Sequence, residues 1–95
     1  MPKQKGPPLD TVELSSGIVI PRRVHDALYP LACAKIDSLS YGRPYKSRDM
    51  LNPNDYVRFE PRHVGGCVAE WERTGRIPIR FLGCPFCSVR HYERI

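Results

Sequence analysis

Cysteine and histidine side chains cluster in the C-terminal third of the chain, at spacings that suit a metal ion. The pattern is His63-x3-Cys67 and, after a gap, Cys84-x2-Cys87-x3-His91. Thiolate sulfur and imidazole nitrogen are the usual ligands of tetrahedral structural Zn2+, and a C-x2-C pair brings two sulfurs together across one tight turn. The pattern therefore predicts one bound Zn2+ with Cys67, Cys84, Cys87 and His91 as ligands. His63 is the alternative fourth ligand.

The C-x2-C segment has two resemblances. Residues 81–91 resemble half of a zinc finger, in which a strand, a knuckle and a short helix follow one another. Cys84-Pro85-Phe86-Cys87 is also similar to the active-site motif of glutaredoxins, which implies a thiol-disulfide oxidoreductase. In that family the motif follows the first strand of a βαβ scaffold, whereas only residues 88–95 follow the motif here. We therefore expect a non-enzymatic protein, with the oxidoreductase as the less favoured alternative.

The remaining cysteine and histidine lie outside this cluster. Cys33 belongs to the apolar run Leu31-Ala32-Cys33-Ala34, which predicts a buried structural thiol and not a zinc ligand. His25 is next to an aspartate in a basic segment, and we expect it to be exposed and not catalytic.

Arginine dominates the charge of the chain. The net charge is +5, and eleven of the 15 basic residues are arginine. A guanidinium group pairs two-pronged with phosphate or carboxylate and stacks on bases, so the pattern favours nucleic acid or a nucleoprotein complex as partner. A solvated face without a dedicated partner fits the same pattern. Five arginines flank the C-x2-C pair and are the candidate contacts: Arg73, Arg76, Arg80, Arg90 and Arg94.

The arrangement of these contacts follows from the strand pattern. Arg76 and Arg80 would share one face of a strand, where they can follow successive phosphates. Phe86 or Tyr92 would stack on bases.

A protein partner is the alternative. Tyr29, Tyr41, Arg43 and Tyr45 lie in or beside expected loops, and tyrosine and arginine are favoured interface anchors. They favour a compact adaptor or inhibitor that docks on a larger protein machine, for example a phage-encoded regulator of a host complex. Salt-dependent binding to bare nucleic acid separates the two hypotheses.

The elements that position these residues are expected to be short. Ten prolines and seven glycines interrupt a chain of 95 residues. This composition predicts a small α+β fold with short helices, a β-hairpin and a C-terminal zinc-knuckle-like metal site. Because the core of so short a chain is marginal, zinc would add stability. We expect residues 1–8 to form a flexible basic tail and residues 9–95 to form a single zinc-stabilised domain.

Local patterns predict the order of the elements. Pro30 indicates either a second helix after it or a kinked continuation of the first. The predicted elements are a hairpin over 11–14 and 17–20, helices over 22–29 and 31–39, a strand over 56–60, a helix over 67–74 stopped by Gly75, an edge strand over 76–81 and a terminal helical turn over 89–95.

No secretory signal or membrane span is expected. The basic start is followed by Leu9-Asp10-Thr11-Val12-Glu13 where a signal peptide needs an apolar run. No stretch approaches the ~20 apolar residues of a membrane helix. We expect a reducing cytoplasm, where paired cysteines more often bind metal than form disulfides, and a disulfide framework is the alternative.

Overall fold

The computed structural model describes residues 10–83 and 89–95 as an α+β fold with two small antiparallel sheets. None of the helices in these residues is long and apolar enough to cross a membrane. A 3₁₀ turn, Ser47–Met50, lies between the third strand and the second helix. The described helices and strands are β1 (Thr11–Glu13), β2 (Val19–Pro21), α1 (Arg22–Ile36), β3 (Tyr45–Lys46), α2 (Pro53–Tyr56), α3 (Pro61–Arg73), β4 (Ile79–Gly83) and β5 (His91–Arg94).

The N-terminal hairpin confirms the prediction from its turn residues. Strands β1 and β2 pair antiparallel, with Val12 opposite Ile20. Gly17 has a φ of +93°, a left-handed conformation that glycine adopts without a steric cost. Leu14 and Ile20 are buried, so the hairpin contributes one apolar face to the core.

Helix α1 runs continuously through Pro30 as one 15-residue helix. The prediction of a separate second helix is therefore wrong, and the helix continues as in the alternative, although it ends at Ile36 and not at residue 39. Pro30 removes the hydrogen bond that its N–H would donate to the carbonyl of Asp26. Both residues are on the exposed face of the helix, so the carbonyl that loses its donor is not buried away from solvent.

Helix α3 begins at Pro61, six residues before the predicted start. Proline suits the first helical position because its fixed φ is already helical and its missing N–H has no acceptor there. A Cβ on Gly66 would lie 3.1 Å from Ile18 Cδ1 and 3.2 Å from Leu14 Cδ1, so glycine lets the hairpin pack closely on the helix. Tertiary packing thus explains Gly66, a glycine that local propensity disfavours in a helix.

The end of α3 agrees with the prediction. Gly75 has a φ of +73°. The N–H of Arg76 donates to the carbonyl of Trp71 at 2.8 Å, and the N–H of Gly75 donates to that of Glu72 at 3.1 Å. These two bonds form a Schellman motif, which satisfies the last carbonyls of the helix.

A three-stranded antiparallel sheet has the order β3-β5-β4. Tyr92 on β5 lies between Tyr45 on β3 and Phe81 on β4. The terminal helical turn predicted over 89–95 is therefore wrong, because residues distant in sequence pair with this segment on both sides. β4 is an edge strand as predicted, but it starts at Ile79 and not at residue 76. Pro78 lies just before it and has no N–H to donate to a neighbouring strand.

The strand predicted over 56–60 is also wrong. Pro53 occupies the first position of α2, and the chain then turns through 57–59. An alternating pattern forms a strand only where one face is buried, and Val57 is 78% exposed.

Helices α1 and α3, the hairpin and β5 enclose the core. Trp71 and Tyr92 are its largest fully buried side chains. The rings of His25 and Tyr29 on α1 meet the Trp71 ring edge-on, with centroids 5.4 and 5.1 Å away. The prediction that His25 is exposed is wrong. Its side chain is only 12% exposed, because it packs on this tryptophan.

Candidate functional site

The predicted zinc ligands are only partly described. Cys84 and Cys87 lie outside the described residues. Cys67 is on α3, one turn after His63, and His91 is the first residue of β5. Within 10–83 and 89–95, no group of three or more histidine, cysteine, aspartate or glutamate side chains is placed to hold a metal ion. The zinc site and its zinc-knuckle geometry therefore stay predictions.

Cys67 is fully buried in the core. Burial, and to a smaller extent the carboxylate of Glu70, raise the pKa of this thiol to about 11. The thiol is accordingly protonated at neutral pH in this environment. Zn2+ binds thiolate, so coordination by Cys67 would have to displace this proton.

His91 has one ring nitrogen engaged. Its Nδ1 lies 3.0 Å from the carbonyl oxygen of Val89, and because a carbonyl only accepts, Nδ1 is the donor. In the neutral ring this leaves the lone pair of Nε2 for a metal, as in many zinc-bound histidines. His63 is 6% exposed on the core face of α3. Of the two histidines, His91 therefore has the environment that suits a ligand better.

Cys33 agrees with its predicted structural role in part. It is a free thiol on α1, packed against the core cluster, but it is half-buried and not fully buried.

Arg94 has a structural position. Its Nη1 donates to the backbone carbonyls of Asp37 at 2.9 Å and Leu39 at 2.8 Å, just beyond the end of α1. Its guanidinium also lies 4.4 Å from the centre of the Tyr41 ring. These contacts join β5 to the segment after α1 and engage Nη1 of the guanidinium in the fold.

Arg73 and Arg80 are paired with carboxylates. Nη2 of Arg73 lies 2.8 Å from Oε1 of Glu70 and also donates to the hydroxyl of Ser15. Arg80 on β4 forms an ion pair with Glu93 on β5. The pKa of Glu70 is lowered, first by the Ser15 hydroxyl and then by Arg73. Ion pairing reduces the charge that these two arginines offer to a partner.

Arg76 and Arg90 instead rest on aromatic rings. The guanidinium of Arg76 is 4.9 Å from the Tyr29 ring centre. That of Arg90 is 4.0 Å from the Phe81 ring centre, and its Nε donates to the Tyr92 hydroxyl at 2.9 Å. Among the described residues neither has a carboxylate partner. Both are exposed, so their charge is available to an anion.

Two geometric predictions need correction. Arg76 lies before β4 and not in it, so it shares no strand face with Arg80. The two arginines nevertheless line one shallow depression of about 500 Å³. Tyr92 is fully buried and cannot stack on a base from outside. Phe86, the other predicted stacking residue, lies outside the described residues.

A second basic surface was missed by the sequence interpretation. Cavities of about 610 and 420 Å³ share Arg48 and Tyr56, and together we call them the Arg48 groove. Five basic residues line it: Lys35, Arg43, Lys46, Arg48 and Arg90. The signal was present in residues 41–48, where basic and aromatic residues alternate as Tyr-Gly-Arg-Pro-Tyr-Lys-Ser-Arg.

Comparison of this chain with protein-family models, curated proteins and solved structures finds no match, so its function has to be argued from its own residues.

Proposed function

We propose that this chain is a small basic zinc-binding protein without catalytic activity that contacts nucleic acid or a nucleic-acid-handling complex, in a regulatory role. A cytoplasmic location suits such a partner. The observation that supports the proposal best is the state of Arg76 and Arg90. Both are exposed, lie on aromatic rings and have no carboxylate partner among the described residues.

The aromatic contacts have an energetic consequence for binding. A ring under a guanidinium restricts its motion while leaving N–H donors at the edge for a ligand, although in Arg90 the Nε donor already binds the Tyr92 hydroxyl. Less conformational entropy is then lost when a phosphate binds. Arg76 and Arg90 are thus better placed to bind an anion than Arg73 and Arg80, whose charges are already paired.

The direct test replaces these two arginines. Arg76→Gln/Arg90→Gln should bind DNA or RNA more weakly, with a slope of log affinity against log salt that is shallower by about 1.4 to 1.8 units for two lost phosphate contacts. The matched control is Arg58→Gln/Arg62→Gln, which removes the same charge from arginines that pair with Asp55 and Glu60. Equal loss in both double variants would contradict the proposal.

The zinc part of the proposal rests on Cys67, Cys84, Cys87 and His91. Native mass spectrometry of folded protein should show one Zn2+ per chain, and Cys84→Ser should lose metal and fold together. Cys33→Ala should keep its zinc. Only the apo mass in a folded sample would refute the site. Turnover of the zinc-loaded protein in a glutathione-linked reductase assay would instead support the oxidoreductase.

A protein partner is the second candidate. Tyr41 is 65% exposed, and Arg94 holds its ring from one side. An exposed and immobilised tyrosine is typical of interface anchors in an adaptor or inhibitor. Suppose that the wild-type chain binds no nucleic acid even at low salt but binds a purified protein partner. Loss of that binding in Tyr41→Ala would then favour the adaptor or inhibitor.

A further inference from the structure

The larger cavity of the Arg48 groove combines an apolar interior with a basic rim. The buried side chains of Leu39 and Leu51 line it, together with the half-buried rings of Tyr45 and Tyr56. The hydroxyl of Tyr45 accepts a hydrogen bond from the N–H of Ser40 at 2.9 Å, which restrains this ring. A volume of about 610 Å³ lies in the range of sites that enclose most of a small organic group.

The basic rim of this cavity is not neutralised by the protein. Lys35, Arg43 and Arg48 line it, and their side chains make no ion pair within the described part of the chain. Asp49 is the acidic residue at the cavity, and its Oδ2 already accepts a hydrogen bond from the N–H of Lys46 at 2.8 Å. The three cations outweigh the one carboxylate, so the cavity keeps a positive potential that an anionic ligand can satisfy.

The groove continues from this cavity towards β5. Arg48 and Tyr56 belong to both cavities, and the smaller one adds Lys46 and Arg90. Gly65 also lines the smaller cavity, and its missing side chain lets a ligand approach the helix backbone closely. Positive charge is therefore distributed along a path and is not confined to one point.

We infer that the Arg48 groove binds a single strand of nucleic acid, with one unstacked base in the larger cavity and the flanking phosphates on the basic residues. This inference rests on the proposed function. It specifies single-stranded nucleic acid as the ligand and adds the Arg48 groove as a second contact surface. A base matches the apolar and aromatic lining, and its phosphates match the cations. An acidic peptide would match the charge but offers a flat ring only at an aromatic residue, whereas every nucleotide carries both a flat base and a phosphate.

A duplex does not meet the same requirements. Its bases are paired and stacked, so the unstacked base that enters such a pocket must come from a single-stranded segment. Stacking and apolar contacts are available to every base, which predicts little sequence preference.

The experiment measures binding of a fluorescently labelled single strand and of the corresponding duplex. Arg43→Gln/Arg48→Gln should bind the single strand about 25-fold more weakly at 0.1 M salt, the loss expected for two phosphate contacts. The control Arg22→Gln/Arg23→Gln removes the same charge from the first turn of α1, about 18 Å along the helix from Lys35. This control should retain most of the affinity.

A third variant tests the pocket apart from its charge. Tyr56→Leu should weaken single-strand binding about fivefold or more while leaving the salt slope unchanged, because it removes an aromatic ring and no charge. Circular dichroism of each variant establishes that the fold is retained.

The outcomes separate the two proposals. If wild-type protein binds nucleic acid but Arg43→Gln/Arg48→Gln is no weaker than its control, the groove inference is overturned and the proposed function survives. Equal affinity for duplex and single strand would also overturn it. If the wild type binds neither form, both proposals fail, and binding of an acidic peptide with loss in Arg43→Gln/Arg48→Gln would assign the groove to a protein partner.

Discussion

Arg94 provides the sharpest distinction between an arginine that supports the fold and one that binds a partner. We expect Arg94→Met to destabilise the protein, because it leaves the carbonyls of Asp37 and Leu39 without their charged donor. The hydrogen bond to the Leu39 carbonyl is partly buried, whereas the one to the Asp37 carbonyl is exposed. The bond to Leu39 therefore contributes most of the stability. With about 1.5–3 kcal/mol for a hydrogen bond to a charged group, the free energy of unfolding should fall by about 2–3 kcal/mol.

Urea unfolding monitored by tryptophan fluorescence measures this loss. Trp71 is the one tryptophan of the chain and is buried, so its emission reports loss of the core. For a domain of this size about 1 kcal/mol corresponds to 4–8 °C, which places the melting temperature of Arg94→Met about 10–20 °C below wild type.

The matched control for this prediction is Arg76→Met. Its guanidinium is exposed over Tyr29, and an exposed cation–π contact contributes about 0.5–1 kcal/mol. We therefore expect little change in stability and a clear loss of nucleic-acid affinity. The reasoning is refuted if Arg94→Met unfolds at the wild-type urea concentration but loses affinity as Arg76→Met does.

The remaining predictions concern the fold and its ionisable groups. Gly65→Ala should stabilise the protein by about 0.8–1 kcal/mol, because its Cβ meets no atom within 4 Å. Gly66→Ala should stabilise it less or destabilise it, because its Cβ would press on Leu14 and Ile18. A lower melting temperature for Gly65→Ala than for Gly66→Ala would contradict this packing of α3. Ser15→Ala removes the hydroxyl that contributes most to lowering the pKa of Glu70. The resulting loss of stability should be full above about pH 5 and should shrink as the pH falls through the lowered pKa. Urea titrations of wild type and variant at pH 7 and pH 3 measure this difference. Cys67, buried and with its pKa raised to about 11, should be alkylated by iodoacetamide only on unfolding, and peptide mapping that found it modified in the native protein would contradict its position.

Local signals predicted the elements whose causes are local. The Ser15-Ser16-Gly17 turn indicated the hairpin, and the glycine after α3 marked the end of that helix. Pro78 indicated that its segment lies at a sheet edge, and β4 is an edge strand.

Contacts between distant residues explain the failures. β5 is a strand because residues near positions 45 and 80 pair with it, which no pattern within 89–95 reveals. Gly66 is helical because the hairpin packs on it from 50 residues away in sequence. The role of Arg94 likewise depends on carbonyls that precede it by 57 and 55 residues.

For the candidate site, the sequence predicted arginines as the contacts but could not rank individual arginines. Ranking them requires the positions of Glu70 and Glu93, which neutralise two of them, and of Tyr29 and Phe81, which support two others. Spacing alone carries none of this information, because each of these pairs depends on the folded chain.

The central claim is that the chain binds nucleic acid through unpaired basic residues, and a salt titration tests it most directly. Fluorescence anisotropy of a labelled single strand with zinc-loaded wild-type protein, repeated over a range of salt concentrations, gives the affinity and its dependence on salt. The five basic residues of the Arg48 groove together with Arg76 limit the slope of log affinity against log salt to about −4.2 at its steepest, and we expect a value of about −2 or steeper. Absence of binding at about 50 mM salt, or an affinity that does not change with salt, would contradict the claim.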